Sequence, residues 1–228
     1  MKNEIKEKMN NNSEDSSNQA IPFYENNLFY YLLCNKKLLM HMISTVTGIK
    51  VVDVFKYDYE ILGNSKNCVS ALLMVIFLNE YNSKDYSVLM RISNYGLFNP
   101  IELENKLESI YEFISISGKE RAFALNTIYE ILFVTDSSSF EEGFVHEYEL
   151  SYGKTIYDYI EYHLLYVELE KAKYLDENEI YNWSEMECLT YMFKYGHDDS
   201  KKDLINKLVQ KHSELATLLE KREEFKKL

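Results

Sequence analysis

The sequence predicts a mixed α/β fold: a central sheet flanked by helices, with a helical extension at the C-terminus. Three observations carry that expectation. Apolar residues return every three or four positions across 25–47, 101–115, 183–196 and 199–225, which is the helical period. Between these segments lie β-branched and aromatic runs such as VVDVFKYDYEIL and TIYEILFVT, which read as strands. Breakers are scarce, with 7 glycines and 2 prolines, so elements should be long and turns short.

Taken in order, residues 1–21 are polar and rich in Asn and Ser, and read as a flexible leader. From 25 to 47 one helix is expected, with Leu28, Leu32 and Leu39 beside Phe29, Leu33, Met40 and Ile43, closed by Gly48 as a C-cap. VVDVFKYDYEIL follows as a strand. Next, SALLMVIFLNEYNSKDYSVLMRIS reads as a hairpin turning around Asn82, Ser83 and Lys84. Its first strand carries no charge between Ala71 and Leu78, so it should be central and covered on both faces. Pro100 precedes IELENKLESIYEFIS, a helix with a stripe of Leu103, Leu107, Ile110 and Ile114 that breaks near Gly118. TIYEILFVT is a buried strand, FVHEYEL a further strand, and LLYVELEK either a strand or the start of a helix. WSEMECLTYMFKYG is an amphipathic helix, with Trp183, Met186, Leu189, Thr190 and Phe193 on one face. The last segment, DSKKDLINKLVQKHSELATLLEKREEF, reads as a single long helix striped by Leu204, Leu208, Leu215 and Leu219. The expected organisation is a leader at 1–21, an α/β core at 22–197 and a C-terminal amphipathic helix at 198–228.

Composition narrows the function classes. The formal net charge is -12, opposite to the basic stripe with which proteins neutralise phosphates, so direct nucleic-acid binding is not expected. Cys34, Cys68 and Cys188 are far apart and form no CxxC, which suits free thiols in a reducing cytoplasm rather than a disulfide frame or a zinc site. His41, His146, His163, His197 and His212 have no metal-ligand spacing, and each reads as a surface or satisfied core residue. No metal and no cofactor are expected. Apolar runs of about eight residues are too short to span a bilayer, and the charged N-terminus lacks the apolar region of a signal peptide. The expected location is therefore the cytoplasm.

Charge is uneven. Between 141 and 187 thirteen acidic residues face three lysines, with eight tyrosines interleaved. Such a surface suits docking onto a basic protein partner, with tyrosine rings as rigid anchors. The candidate partner-binding residues are Glu141, Glu142, Glu147, Glu149, Tyr157, Asp158, Tyr159, Glu161 and Tyr166. The leucine stripe of the last helix is a candidate homodimer seam, and packing on its own domain is the other use of that stripe.

The order of elements resembles the PD-(D/E)XK nuclease-fold proteins associated with transposases, including the recombination-promoting nuclease group. NNLFYYLLCNKKLLMHMISTVTGIKVVDV is similar to that family's opening helices, with Phe29 at the motif phenylalanine and Thr47-Gly48 at the closing turn. LMV at 73–75 and VLMR at 88–91 fall where the family has the strand ending in a catalytic Asp and the strand bearing a catalytic Glu. YVELEKAKYL resembles the family's late E-L-x-K segment, and Trp183 sits near a frequent tryptophan. The resemblance implies a restriction-endonuclease-like sheet over roughly 23–195. It also implies that the chemistry has gone: Asn26 and Tyr30 replace the opening acid and lysine, Met74 the metal-binding Asp, Leu89 the metal-binding Glu, and Arg91 the Gln or Lys. Mg²⁺ needs hard oxygen ligands, and neither methionine nor leucine supplies one. The leading expectation is thus a non-catalytic pseudo-nuclease that binds a protein partner. An inhibitor or regulator in conflicts between mobile elements or phages and their hosts, of the anti-CRISPR kind, is one concrete version. The alternative is a divergent Mg²⁺-dependent DNA endonuclease that uses Asp58, Glu60 and Glu80.

Overall fold

The computed structural model describes residues 21–23, 25–60, 70–77, 86–95, 127–135, 142–152 and 160–227. Among the described residues two short helices come first, α1 (Asn26–Leu33) and α2 (Lys36–Thr47). The single helix expected here is broken because Asn35 takes an extended conformation and caps α2, its Oδ1 accepting from Leu38 N at 3.1 Å. Gly48 ends α2 in the left-handed region at φ 69, as its C-cap position required.

Six strands follow: β1 (Val51–Glu60), β2 (Ser70–Phe77), β3 (Tyr86–Tyr95), β4 (Thr127–Val134), β5 (Val145–Tyr152) and β6 (Ile160–Glu168). They form one mixed sheet in the order β1-β2-β3-β4-β6-β5. β1, β2 and β3 make an antiparallel meander; β4 joins parallel to β3, β6 parallel to β4, and β5 returns antiparallel beside β6. The apolar strand β2 lies inside the sheet, with β1 and β3 on its two sides. The helix expected over 101–115, the hairpin turn and the leader lie outside the described residues.

Beyond β6 the chain makes two 3₁₀ turns, Leu169–Tyr174 and Glu177–Asn182, then α3 (Glu185–Tyr195), α4 (Lys202–Lys211) and α5 (Ser213–Phe225). LLYVELEK is therefore strand as far as Glu168 and turn thereafter. Ser184 starts α3 with a reciprocal capping box: Glu187 N donates to Ser184 Oγ at 3.2 Å, and Ser184 N donates to the Glu187 carboxylate at 2.6 Å. The long C-terminal helix is corrected to two helices broken at His212, whose φ -131 and ψ 102 are extended.

One hydrophobic cluster joins α1–α5 to one face of the sheet. Ile131 and Phe133 on β4 and Leu165 and Val167 on β6 belong to it. The alternating residues Glu130, Leu132, Leu164 and Tyr166 are buried outside that cluster, on the opposite face. Phe193 of α3 stacks on Phe133 at 5.0 Å and meets Phe29 of α1 edge-on at 6.3 Å. The phenylalanine that carried the resemblance thus sits at the junction of two helices and the sheet. Gly196 ends α3 where a Cβ would stand 2.3 Å from the Phe23 ring, so the close approach needs glycine. Ile205, Leu208, Leu215, Leu218 and Phe225 enter the same cluster, and Phe225 packs on Tyr31 at 5.7 Å. The C-terminal apolar stripe is thereby used within the chain itself.

Candidate functional site

The hairpin positions come first. β2 and β3 pair so that Met74 stands directly opposite Leu89 and Leu72 opposite Arg91. The two positions where the resemblance places metal-binding carboxylates are therefore register partners at the middle of an interior strand pair. The register continues from Leu89 to Ile128 and from Arg91 to Glu130 on β4. On the other side, Asp58 pairs with Leu72 and Glu60 with Ser70 on β1. Glu80, the third candidate ligand, lies outside the described residues. Among the described residues no group of three or more His, Cys, Asp or Glu side chains could hold a metal ion.

Glu130 is fully buried, in register between Arg91 and Leu164. Sequence reasoning passed over it, although one carboxylate inside the apolar run TIYEILFV was a usable signal.

A buried ionic cluster closes the far end of β6, also unforeseen. Glu168 is 0% exposed, Lys171 9% and His146 8%. The Lys171 ammonium stands 2.7 Å from the Glu168 carboxylate, 3.0 Å from His146 Nε2 and 2.6 Å from the Gly143 carbonyl oxygen. An ammonium has three N–H donors, and three polar atoms surround this one. His146 Nε2 also stands 3.2 Å from the Glu168 carboxylate, so its tautomer decides whether the ring accepts from Lys171 or donates to Glu168. The cluster fastens β5, β6 and the following 3₁₀ turn together. Glu168 and Lys171 are the Glu and Lys of the E-L-x-K segment, spaced i,i+3 so that the turn after the strand brings them together. Its printed contacts all run between parts of the chain, so it serves the fold.

The structure describes part of the acidic stretch. Glu142, Glu147, Glu149 and Tyr148 are exposed, the last three on β5 at the rim of the sheet. The Glu147 carboxylate accepts from His163 Nδ1 at 2.8 Å, and the His163 ring stacks on Tyr129 at 4.5 Å. Tyr166 is corrected from a surface anchor to a buried residue, 5% exposed, because both faces of β6 are covered at that point. Glu161 pairs with Thr127 and Ser151 inside the sheet. Glu141, Tyr157, Asp158 and Tyr159 lie outside the described residues. Tyr174 and Tyr181 in the 3₁₀ turns, two of the eight interleaved tyrosines, are 71% and 72% exposed.

Cys188 is a free buried thiol, and burial pushes its pKa up to about 11, which makes it unreactive at neutral pH. Cys34 is half-buried, and Cys68 lies outside the described residues. Among the described residues no helix is long and apolar enough to cross a membrane.

Compared with known proteins, the chain matches no family model and no curated protein sequence.

Proposed function

We propose that this chain is a nuclease-fold protein that binds a protein partner instead of cutting DNA. The reading is supported by an opening helix pair, an interior antiparallel hairpin and a fourth strand parallel to the third, which agrees with a restriction-endonuclease-like sheet. The observation that carries it is the register pairing of Met74 with Leu89. Phosphodiester hydrolysis by such a site needs oxygen ligands to fix a divalent cation against the phosphate and to acidify a water. The two positions meant to supply them are a methionine and a leucine, register partners across the hairpin. The E-L-x-K pair is likewise consumed in a buried ion pair.

In this reading the working surface is the acidic rim of β5, with Glu142, Glu147, Glu149 and Tyr148 exposed toward a basic partner. An inhibitor or regulator acting in conflicts between mobile elements and their hosts, of the anti-CRISPR kind, fits an acidic decoy on a nuclease scaffold; this setting rests on analogy. Two measurements test the proposal. Supercoiled plasmid incubated with the full chain and Mg²⁺ or Mn²⁺ stays intact, whereas nicking abolished by Glu60→Ala would establish the endonuclease alternative. A protein partner captured by the wild type is lost by the triple variant Glu142→Lys, Glu147→Lys, Glu149→Lys; undiminished capture by that variant removes the docking surface.

A further inference from the structure

One edge of the sheet carries a row of peptide groups that no described strand uses. β5 is last in the order β1-β2-β3-β4-β6-β5, so among the described residues β6 is its one strand neighbour. The Glu168 N–H donates to the Phe144 carbonyl oxygen at 3.0 Å, and the register runs without a shift from Val145 opposite Val167 to Tyr152 opposite Ile160. In an antiparallel pair every second residue bonds to a given neighbour. Phe144 therefore sets the phase: His146, Tyr148 and Leu150 bond inward to β6, and Val145, Glu147 and Glu149 turn their N–H and C=O outward. Glu147, Tyr148 and Glu149 are exposed in succession, and successive side chains lie on opposite faces, so neither face of the strand is covered there.

Outward peptide groups in a row are a template for another strand. The side chains decide which strand. Glu147 and Glu149 share one face, and the Glu147 side chain stays 53% exposed beside its His163 contact. A second copy of the chain is a poor occupant. Two β5 edges paired antiparallel about Glu147, Tyr148 or Glu149 set glutamate against glutamate, and like charges directly opposite destabilise a pair. A strand with lysine or arginine at alternate positions brings the opposite sign to the same places. Between them the Tyr148 ring, 44% exposed on the other face, offers surface to a β-branched residue.

We propose that the β5 edge receives an extended basic segment of the protein partner as an added antiparallel strand, with cationic side chains opposite Glu147 and Glu149. The inference rests on the binding role above and names its mode: main-chain hydrogen bonds at Glu147 and Glu149 hold the segment, and the two carboxylates select its sequence.

The test is an NMR titration of the full chain with the peptide acetyl-Thr-Lys-Val-Lys-Val-Lys-Thr-amide. Residues opposite Glu147 and Glu149 point their own N–H groups at β5, so N-methylation of two lysine amides blocks the pairing edge, whereas N-methylation of both valine amides blocks the edge that faces away. The two isomers have the same charge and composition. The parent peptide and the valine-methylated isomer slow hydrogen exchange at the Glu147 and Glu149 amides, and the lysine-methylated isomer binds about tenfold more weakly or worse, as expected for two lost main-chain hydrogen bonds. Glu147→Pro deletes an outward N–H, which an edge strand tolerates, and weakens the parent peptide beyond Glu147→Gln, since both variants lose the carboxylate. Equal binding of the two isomers, binding without amide protection, or no binding of the parent peptide overturns the proposal. Protection of the same amides by self-association, with no peptide present, overturns it too. The two readings fail separately. Partner capture that is lost in the triple lysine variant, with no difference between the isomers, overturns strand addition alone. Strand addition by the peptide, with capture indifferent to Glu142, Glu147 and Glu149, overturns the docking surface while the edge still accepts a strand.

Discussion

Two histidine-bearing regions of this molecule treat buried polar atoms in opposite ways. At the end of β6, His146, Glu168 and Lys171 are nine-tenths buried or more, and three polar atoms lie within 3.0 Å of the ammonium. Between α2 and α5, His41, Thr45 and His212 each keep a buried polar atom with no partner among the described residues. The contrast separates polar groups that hold a fold from polar groups that add little to it. A satisfied cluster is expensive to break and offers nothing to a ligand. An unsatisfied group costs the fold something and loses little when its polarity is removed.

The largest expected effect breaks the closed cluster. Lys171→Met leaves Glu168 buried without its cation, a loss of about 3–5 kcal/mol in urea denaturation. The double variant Glu168→Gln, Lys171→Met removes both charges and recovers much of that loss, since a buried pair is worth far less than the penalty of orphaning one member. Equal destabilisation by the single and double variants would show that packing, not charge, holds this end of the sheet.

Next comes pH, which probes the open region. Burial, with Lys211 and His41 nearby, holds the His212 imidazole below its ordinary value of 6.5, while Glu185 and Glu214 oppose the shift. His197 is lowered in the same direction, chiefly by burial. Between the ordinary and the lowered values the unfolded chain binds more protons than the folded one, so stability rises with pH across that window. The histidine contribution is fully present above 6.5 and drains away as pH falls from there. Glu177, held below its ordinary 4.5 first by the Lys201 hydrogen bond, loses its contribution only at lower pH, so the two windows are separable. His212→Gln should shrink the upper window to the His197 share and leave the lower one alone in denaturation curves taken at a series of pH values.

The same contrast shows what was legible in the sequence. Strands β1, β4 and β5 and the caps at Gly48 and Ser184 follow from local residues, because alternation, β-branching and capping side chains act within a few positions. The breaks at Asn35 and His212 were hidden, since the apolar period runs straight through both and only the backbone there leaves the helix. The closed cluster joins His146 to Lys171 across 25 positions, and only the Glu168–Lys171 spacing of i,i+3 hinted at it. Tyr166 looked like a surface ring because it lies in an acidic stretch, but β6 is flanked by β4 and β5 and is buried on both faces. Composition reported the neighbourhood, and the sheet order decided which side of it each residue faces.

Smaller effects sharpen the comparison at its two margins. Thr45→Val keeps the shape of the side chain and deletes a hydroxyl that has no partner among the described residues, so stability stays within about 1 kcal/mol of the wild type or rises. Were it to fall by several kcal/mol, the hydroxyl would be bonded in solution and the open region would resemble the closed cluster after all. The Glu147–His163 pair is the mildest case. Its contact is 2.8 Å, as short as those inside the closed cluster, yet the Glu147 side chain is 53% exposed. Water can replace the lost partner there, so Glu147→Gln should change stability by no more than about 0.5 kcal/mol. A short distance in both places with unequal consequences would establish that burial, rather than geometry, sets the worth of a polar contact in this protein.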